Sequence, residues 1–147
     1  MKKRSERLGI VVDLAYQEEC DRAKHLERII QELRAAERQL ADLSEYYTAY
    51  AEQNGDEVGG HSATLLQSRR HFLQHLHHAI EQQHEKVHNI KAQVDTARGQ
   101  WISSHTKTEN LKEYVGHCAT RESEEAAKRE QKAVDEWSTQ RFNRKPD

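Results

Sequence analysis

Two stripes of mostly apolar residues, spaced alternately three and four positions apart, constrain the fold of this chain more than any other feature. The first stripe lies between residues 26 and 50 and the second between 66 and 101. This spacing is typical of the a and d positions of a coiled coil. The stripes consist of Leu26, Ile29, Leu33, Ala36, Leu40, Leu43, Tyr47 and Tyr50, and of Leu66, Arg69, Leu73, Leu76, Ile80, Gln83, Val87, Ile90, Val94, Ala97 and Trp101.

A glycine-rich segment separates the two stripes. Residues 54–60, with the sequence NGDEVGG, contain three of the six glycines, and such a segment favours a turn. The sequence therefore predicts an all-α fold, a long antiparallel two-helix coiled-coil hairpin with an overhanging C-terminal helix. We expect residues 1–147 to form a single coiled-coil domain, with helix one at about 5–53, the turn at about 54–61 and helix two at about 62–142.

The caps of the helices and the register between them follow from the same pattern. Ser5, and either Asp56 or Ser62, are the expected N-caps, because their side-chain oxygens can accept hydrogen bonds from the free amides of a first turn. A turn centred on Val58 makes every layer pair an a position with a d position. The predicted pairs are Leu40 with Leu76, Ala36 with Ile80, Leu33 with Gln83, and Ile29 with Val87.

The predicted packing weakens toward the chain ends. Toward the N-terminus, the spacing of the first stripe continues through Glu19 and Arg22, which are predicted to face Ala97 and Val94. The line along which the a and d residues of the two helices pack is called the seam. A charged group lies at the edge of such a seam rather than inside it. Beyond about Leu111, helix two has no predicted partner in helix one. There its apolar residues shift by one position, which interrupts the heptad pattern. They are Leu111, Val115, Ala119, Ala126, Ala133 and Trp137, and we expect this overhang to bind a partner protein.

Composition excludes several classes of function. Of the 147 residues, 33% are charged and 35% hydrophobic, which favours a thin seam over a thick core. The net charge of -2 offers no basic surface for nucleic acid. The densest apolar run, at residues 8–15, is too short to span a bilayer and contains Asp13. Two cysteines, Cys20 and Cys118, without a visible targeting segment favour a reduced cytoplasmic environment.

We predict no catalytic, cofactor or tight metal site. Residues 103–105, Ser-Ser-His, are neighbours on a helix, so their side chains point in different directions. His77 and Glu81, followed by His84 and His88, share one face of helix two, and such a face could in principle bind a metal. No second helix offers a matching set of ligands. Solvated histidines are therefore the expected state.

A broader flank of apolar and aromatic residues lies beside the seam near the turn. Tyr46 and Phe72 occupy g positions, which share one side of an antiparallel pair, so we expect both to stay partly exposed. A two-helix seam needs only its a and d positions covered, so the flank provides either extra packing or an exposed docking face. The flank comprises Gln39, Leu43, Tyr46 and Tyr50 with Leu65, Phe72, Leu76, Ala79 and Gln83.

Three ordered motifs resemble the FliJ family of the bacterial flagellum. They are RL-x2-VVDLA at residues 7–15, FL-x2-L-x2-AI-x-QQ at residues 72–83, and EQK-x2-DE at residues 130–136. The likeness extends over nearly the whole chain and includes the closing RKP at residues 144–146. The resemblance implies a cytoplasmic component of the flagellar type III protein export apparatus, without enzymatic activity or a cofactor of its own.

The resemblance also implies partners and binding residues. FliJ-like proteins are similar in shape to the central stalk of rotary ATP synthases. This similarity implies that the chain ends lie in the ring of the export ATPase. The implied partners at this end are the ATPase FliI and its regulator FliH. The export gate FlhA and the export chaperones are the other implied partners, and the inner membrane is approached only through them. The implied gate-binding residues are Gln39, Leu43, Tyr46, Tyr50, Phe72, Leu76, Ala79 and Gln83. The implied ring-binding residues are Val115, Ala119, Ala126, Lys132, Ala133 and Trp137.

The alternative to a flagellar export component is a different class of coiled-coil protein. The chain would then be a generic coiled-coil adaptor or spacer, or the equivalent stalk protein of a virulence type III secretion system. A spacer needs neither the aromatic flank nor the overhang, whereas a virulence homologue needs both.

Overall fold

The chain forms two α-helices that pack against each other, as the heptad stripes predict. The computed structural model describes residues 3–56 and 62–144, and within them the elements are α1 (Arg4–Asp56) and α2 (Ala63–Asn143), without strands. The predicted all-α, two-helix fold is confirmed. Of the predicted turn, residues 54–56 continue α1 and residues 57–61 lie outside the described residues.

The start of α2 is capped by Ser62. Its Oγ accepts a hydrogen bond from the Leu65 amide at 3.2 Å, and its backbone carbonyl accepts the amides of Leu65 and Leu66 at 3.0 and 3.2 Å. A side-chain oxygen at this position satisfies an amide that has no partner within the helix. Of the two alternatives for the second cap, the structure therefore shows Ser62.

Close contacts divide the chain into two units, and each unit contains part of both helices. Unit 1 comprises Met1–Cys20 and Ser103–Asp147, and unit 2 comprises Asp21–Ile102. The assignment of the whole chain to a single domain stays a prediction.

Unit 2 has an aliphatic core at the predicted a and d positions. Its buried members contact three half-buried leucines of the same seam and one half-buried isoleucine next to it. Complete burial of one such side chain contributes about 1.5–3 kcal/mol, so this seam is the main source of stability in unit 2. The core consists of Ile29, Ala36, Val87, Ile90, Val94 and Ala97, with Leu26, Ile30, Leu33 and Leu40 packed against it.

The helices of unit 2 run antiparallel, but the predicted register is wrong. Gln83 donates a hydrogen bond from Nε2 to the carbonyl oxygen of Ala36 at 3.0 Å, whereas the prediction placed Ile80 opposite Ala36. Arg22 donates from Nη1 to Oε1 of Gln100 at 3.1 Å. The observed α2 residues, Gln83 and Gln100, have higher numbers than the predicted partners, Ile80 and Val94.

The ends of the helices explain this difference. α1 ends at Asp56 and α2 begins at Ala63, so the middle of the connection lies after Val58 in the sequence. A later midpoint moves every facing residue of α2 to a higher number. The sequence pattern identifies most residues of the seam, with the exception of Leu66, which is 53% exposed. It does not define where the chain reverses.

Unit 1 has a seam of small and polar residues. Ala15, Ser104 and Cys118 are buried, and Thr108 is fully buried, with its hydroxyl donating to the Ser104 carbonyl at 3.0 Å. Small side chains bury little apolar area, so the hydrophobic contribution of this seam is smaller than that of unit 2. The small and polar residues buried in unit 1 agree with the prediction that the packing weakens toward the chain ends.

A carboxylate from α2 binds the start of α1 within unit 1. The Ser5 amide donates to Oε1 of Glu122 at 3.0 Å, and the Ser5 hydroxyl donates to Oε2 at 2.6 Å. First-turn amides have no partner within their own helix, and the helix dipole favours an anion at this end. The prediction that Ser5 caps α1 is therefore wrong: α1 already begins at Arg4, and Ser5 is a donor to Glu122.

The part of α2 without a partner in α1 begins later than predicted. The sequence predicts that α2 lacks a partner in α1 beyond Leu111. In the structure, however, Arg4 donates a hydrogen bond to the Tyr114 hydroxyl at 3.1 Å, and Cys118 is buried. The heptad spacing continues through Cys118 to Glu122, and the predicted shift to Ala119 is wrong because Ala119 is exposed. Residues 123–143, all exposed, are called the uncovered arm.

Replacement of the buried amide in the unit 2 seam should stabilise the fold. We expect Gln83→Leu to raise the melting temperature, equivalent to about 1 kcal/mol, because an apolar side chain is buried in place of a polar one. Thermal unfolding followed by circular dichroism measures this. Gln82→Leu is the matched control, since Gln82 is exposed and should give no gain. A lower melting temperature for Gln83→Leu would contradict this interpretation.

The contact between Glu122 and Ser5 should make unit 1 sensitive to acid. Hydrogen bonds from the Ser5 hydroxyl and then the Ser5 amide lower the pKa of Glu122 below its ordinary value of 4.5. A carboxyl with a lowered pKa stabilises the folded state above its unfolded-state pKa, and this stability is lost as the pH falls through the folded-state pKa.

We therefore expect Glu122→Gln to lower the melting temperature at pH 7 and to have a much smaller effect at pH 3. Hydrogen exchange of the first amides of α1 should accelerate in the same variant at neutral pH. Glu125→Gln, on the uncovered arm, should change neither measurement. An equal destabilisation by Glu122→Gln at both pH values would exclude a role for its charge.

Candidate binding surfaces

Three aromatic side chains from the two helices form a cluster in unit 2. The ring centre of Phe72 lies 4.8 Å from that of Tyr50 and 6.3 Å from that of Tyr46, the latter in an edge-to-face arrangement. Tyr46 and Tyr50 stack at 6.4 Å. They are one turn apart on α1, so both reach the same part of α2. We call Tyr46, Tyr50 and Phe72 the aromatic cluster.

The aromatic cluster remains accessible on its outer side. Tyr46 is 54% exposed and Phe72 is 40% exposed, which confirms the expected partial exposure of both g positions. Rings that support one another lose little conformational freedom when a partner covers them. The cluster therefore combines internal packing with an outer surface that can bind a partner.

The other implied gate-binding residues occupy three different environments. Leu76 and Gln83 are buried in the seam, so they support the flank from inside. Leu43 and Ala79, like Tyr50 of the cluster, are half-buried, and Gln39 is exposed. The accessible part of this flank thus consists mainly of Gln39, Tyr46 and Phe72, together with Leu65, which is 42% exposed.

A contact between a histidine and a glutamate joins the helices of unit 1. Nδ1 of His105 lies 2.6 Å from Oε1 of Glu19. This contact, together with the hydroxyl of Thr108, lowers the pKa of Glu19 below its ordinary value of 4.5, although desolvation acts in the opposite direction. The sequence placed Glu19 in the seam but gave no signal for its partner, because the partner depends on the register.

The uncovered arm presents apolar side chains to solvent. Trp137 is 59% exposed and Phe142 is 78% exposed, and Val134 is also exposed. The Arg141 guanidinium lies 5.1 Å from the centre of the Trp137 ring, a cation–π distance. Sequence reasoning identified Trp137 from its stripe but missed Val134 and Phe142, which lie outside that stripe.

The implied ring-binding residues differ in exposure. Val115 is half-buried and lines a groove of about 420 Å³ together with residues of α1 such as Val12. The remaining members are exposed, and apart from Ala119 they lie on the uncovered arm. They are Ala119, Ala126, Lys132, Ala133 and Trp137.

The first turns of α1 expose a second apolar surface in unit 1. Ile10, Val11 and Leu14 are all exposed, although they belong to the densest apolar run of the sequence. The seam positions in this run are 8, 12 and 15, so the three residues between them lie on other sides of the helix. Their spacing relative to the seam is the signal that could have identified this surface.

The histidine-rich face of α2 is exposed. His77 Nε2 lies 3.0 Å from Oε1 of Glu81, one turn away, and the rings of His71 and His75 are in contact. Within residues 3–56 and 62–144, no group of three or more His, Cys, Asp and Glu side chains is placed to hold a metal ion. The four-residue face from His77 to His88 therefore does not form a preorganised metal centre there.

Neither helix, in the part of the chain that the structure describes, contains a stretch long and apolar enough to cross a membrane.

The chain is similar to a known protein family. A family model described as "Flagellar FliJ protein" matches residues 4–147, essentially the whole chain. No curated protein and no solved structure matches the chain.

Truncation of the aromatic cluster should cost less stability than truncation of the seam beside it. We expect Leu76→Ala to destabilise the protein by about 2–5 kcal/mol, and Phe72→Ala to cost clearly less than the 3–5 kcal/mol typical of a buried phenylalanine. Urea unfolding at neutral pH measures both. If Phe72→Ala cost as much as Leu76→Ala, the cluster would be part of the core rather than a surface.

Proposed function

This chain belongs to the FliJ family of flagellar proteins, and we propose that it is the non-enzymatic central stalk of the flagellar export ATPase ring. Membership in this family makes the chain a component of the flagellar protein export apparatus. The FliJ family is not a known enzyme family. In this proposal the chain connects the ATPase FliI and its regulator FliH with the export gate FlhA and the export chaperones, at the cytoplasmic face of the inner membrane.

The uncovered arm is the observation that carries the proposal for the ATPase. Val134, Trp137 and Phe142 are exposed on a helix that α1 does not cover, and an isolated helix gains little stability without a packing partner. The inner surface of a protein ring could bury these side chains. Exposed charges of both signs lie between them, so polar contacts could change as the ring subunits pass through their cycle.

The first turns of α1 extend the same surface chemistry. Ile10 and Leu14 are one turn apart and exposed, and they belong to the same unit as the uncovered arm. Aliphatic side chains at this spacing form a stripe that can pack into an apolar groove. We therefore assign both segments of unit 1 to contacts with the ATPase.

The aromatic cluster is the proposed contact with the export gate. Aromatic side chains dominate the energy of many protein interfaces, because they bury a large area with few rotatable bonds. Tyr46 and Phe72 are accessible in unit 2, and the buried Leu76 beneath them fixes the position of this part of α2. The two proposed contacts thus use different units of the chain.

Variants of the two surfaces should separate the two activities. We expect deletion of residues 124–147, or the pair Val134→Ala with Trp137→Ala, to reduce stimulation of the export ATPase while gate binding is retained. Phe72→Ala should have the opposite effect, with weaker gate binding and normal stimulation. Steady-state ATP hydrolysis and calorimetric binding to the cytoplasmic part of the gate measure these effects.

Ser138→Ala with Thr139→Ala is the matched control for the arm, because it changes polar residues at neighbouring exposed positions without removing apolar area. It should retain full stimulation. If the truncated chain stimulated the ATPase fully, the arm would not contact the ring. If Phe72→Ala bound the gate normally, the aromatic cluster would not be the gate contact.

A further inference from the structure

Two histidines on the exposed face of α2 have rings in contact. His71 and His75 are one helical turn apart, and their ring centres are separated by 5.4 Å with an angle of 67° between the ring planes. Both side chains are exposed. The rings therefore lie against each other on the same side of the helix.

The separation of these two ring centres is close to that of two imidazoles bound to one metal ion. Histidines at positions i and i+4 of a helix can bind the same ion, as they do in zinc-dependent enzymes. A metal–nitrogen distance of about 2.0–2.1 Å places the two ring centres roughly 4.5–5.2 Å apart for angles between octahedral and tetrahedral. The observed separation of 5.4 Å lies just above this range, so the rings must move slightly closer and each must turn one nitrogen toward the ion.

We propose that His71 and His75 form a two-point binding site for a divalent transition-metal ion of the zinc, nickel and copper class. Imidazole nitrogen is a ligand that these ions prefer. The two rings supply two ligands, and water completes the coordination. A site with two protein ligands is consistent with the absence, among the described residues, of a preorganised group of three or more.

The charges on this segment of α2 weaken the site and make it readily exchangeable. Between Ala63 and Ile80, α2 contains Arg69 and Arg70 and no acidic residue. These cations repel a divalent ion, with an effect that salt screens. The site therefore binds metal more weakly at low ionic strength, which distinguishes it from a structural zinc centre.

The position of the site connects it to the surface of unit 2. Phe72 of the aromatic cluster follows His71 directly, on the helical turn that the two histidines span. A bound ion would hold the two ends of this turn together. The inference itself rests on the histidine geometry and does not depend on the proposed function.

A second pair provides an internal comparison. His84 and His88 have the same spacing on α2, but no contact between their rings is present in the described part of the chain. Without such a contact, bringing both rings to one ion requires more ordering of the two side chains, and this ordering costs free energy. We therefore expect the ion to occupy His71 and His75 first.

Titration of the full-length chain with Ni²⁺, followed by amide NMR, tests the proposal. Paramagnetic Ni²⁺ should broaden the amide signals around residues 68–78 at the lowest metal concentrations, and Zn²⁺ should restore them by competition. His71→Gln and His75→Gln should each weaken binding at least about tenfold, since the second ligand acts at a high effective concentration. His84→Gln should leave this binding unchanged.

Circular dichroism of each variant verifies that the helices remain intact, which is expected because all three positions are exposed. The proposal would be overturned if broadening began around His84 and His88, if it arose equally at all histidines, or if it persisted at normal affinity in His75→Gln.

Discussion

Packing of a and d side chains between α1 and α2 is the interaction on which the rest of this structure depends. In unit 2 these side chains form a continuous aliphatic core that contains Ile29, Val87, Ile90 and Val94. Two helices can bury only one narrow stripe each, so most other side chains remain at the surface. Such a fold acts through its surfaces rather than through an enclosed pocket, which agrees with its membership in a family of export-apparatus components.

The two units use different chemistry to hold the same pair of helices. Unit 2 relies on aliphatic burial, whereas unit 1 combines small buried residues with contacts of Glu19 and Glu122 across the helices. Interactions of the second kind depend on pH and on salt, because they involve ionised carboxylates. Unit 1 is therefore the part of the chain whose helix pairing responds most directly to solution conditions.

The candidate surfaces were predicted to different extents. Tyr46 and Phe72 follow from their g positions, and their partial exposure needs only the helical period and the seam. Leu76 and Gln83 were grouped with them but lie in the seam itself. Val134 and Phe142 do not follow from the pattern, because they lie outside the apolar stripe that contains Ala133 and Trp137. A residue's face can be derived from its number in a helix, but its accessibility depends on what the other helix covers.

The sequence by itself determined the all-α fold, the two helices and most residues of the seam, because the heptad period is a local property of each helix; Leu66 and Ala119, which are exposed, are exceptions. Only the tertiary structure decided which residues face each other. The register depends on where the chain reverses, and an error of a few residues there moves every pair along the seam. The contact of Ser5 with Glu122, and with it the start of the uncovered arm, therefore could not be derived from the sequence pattern.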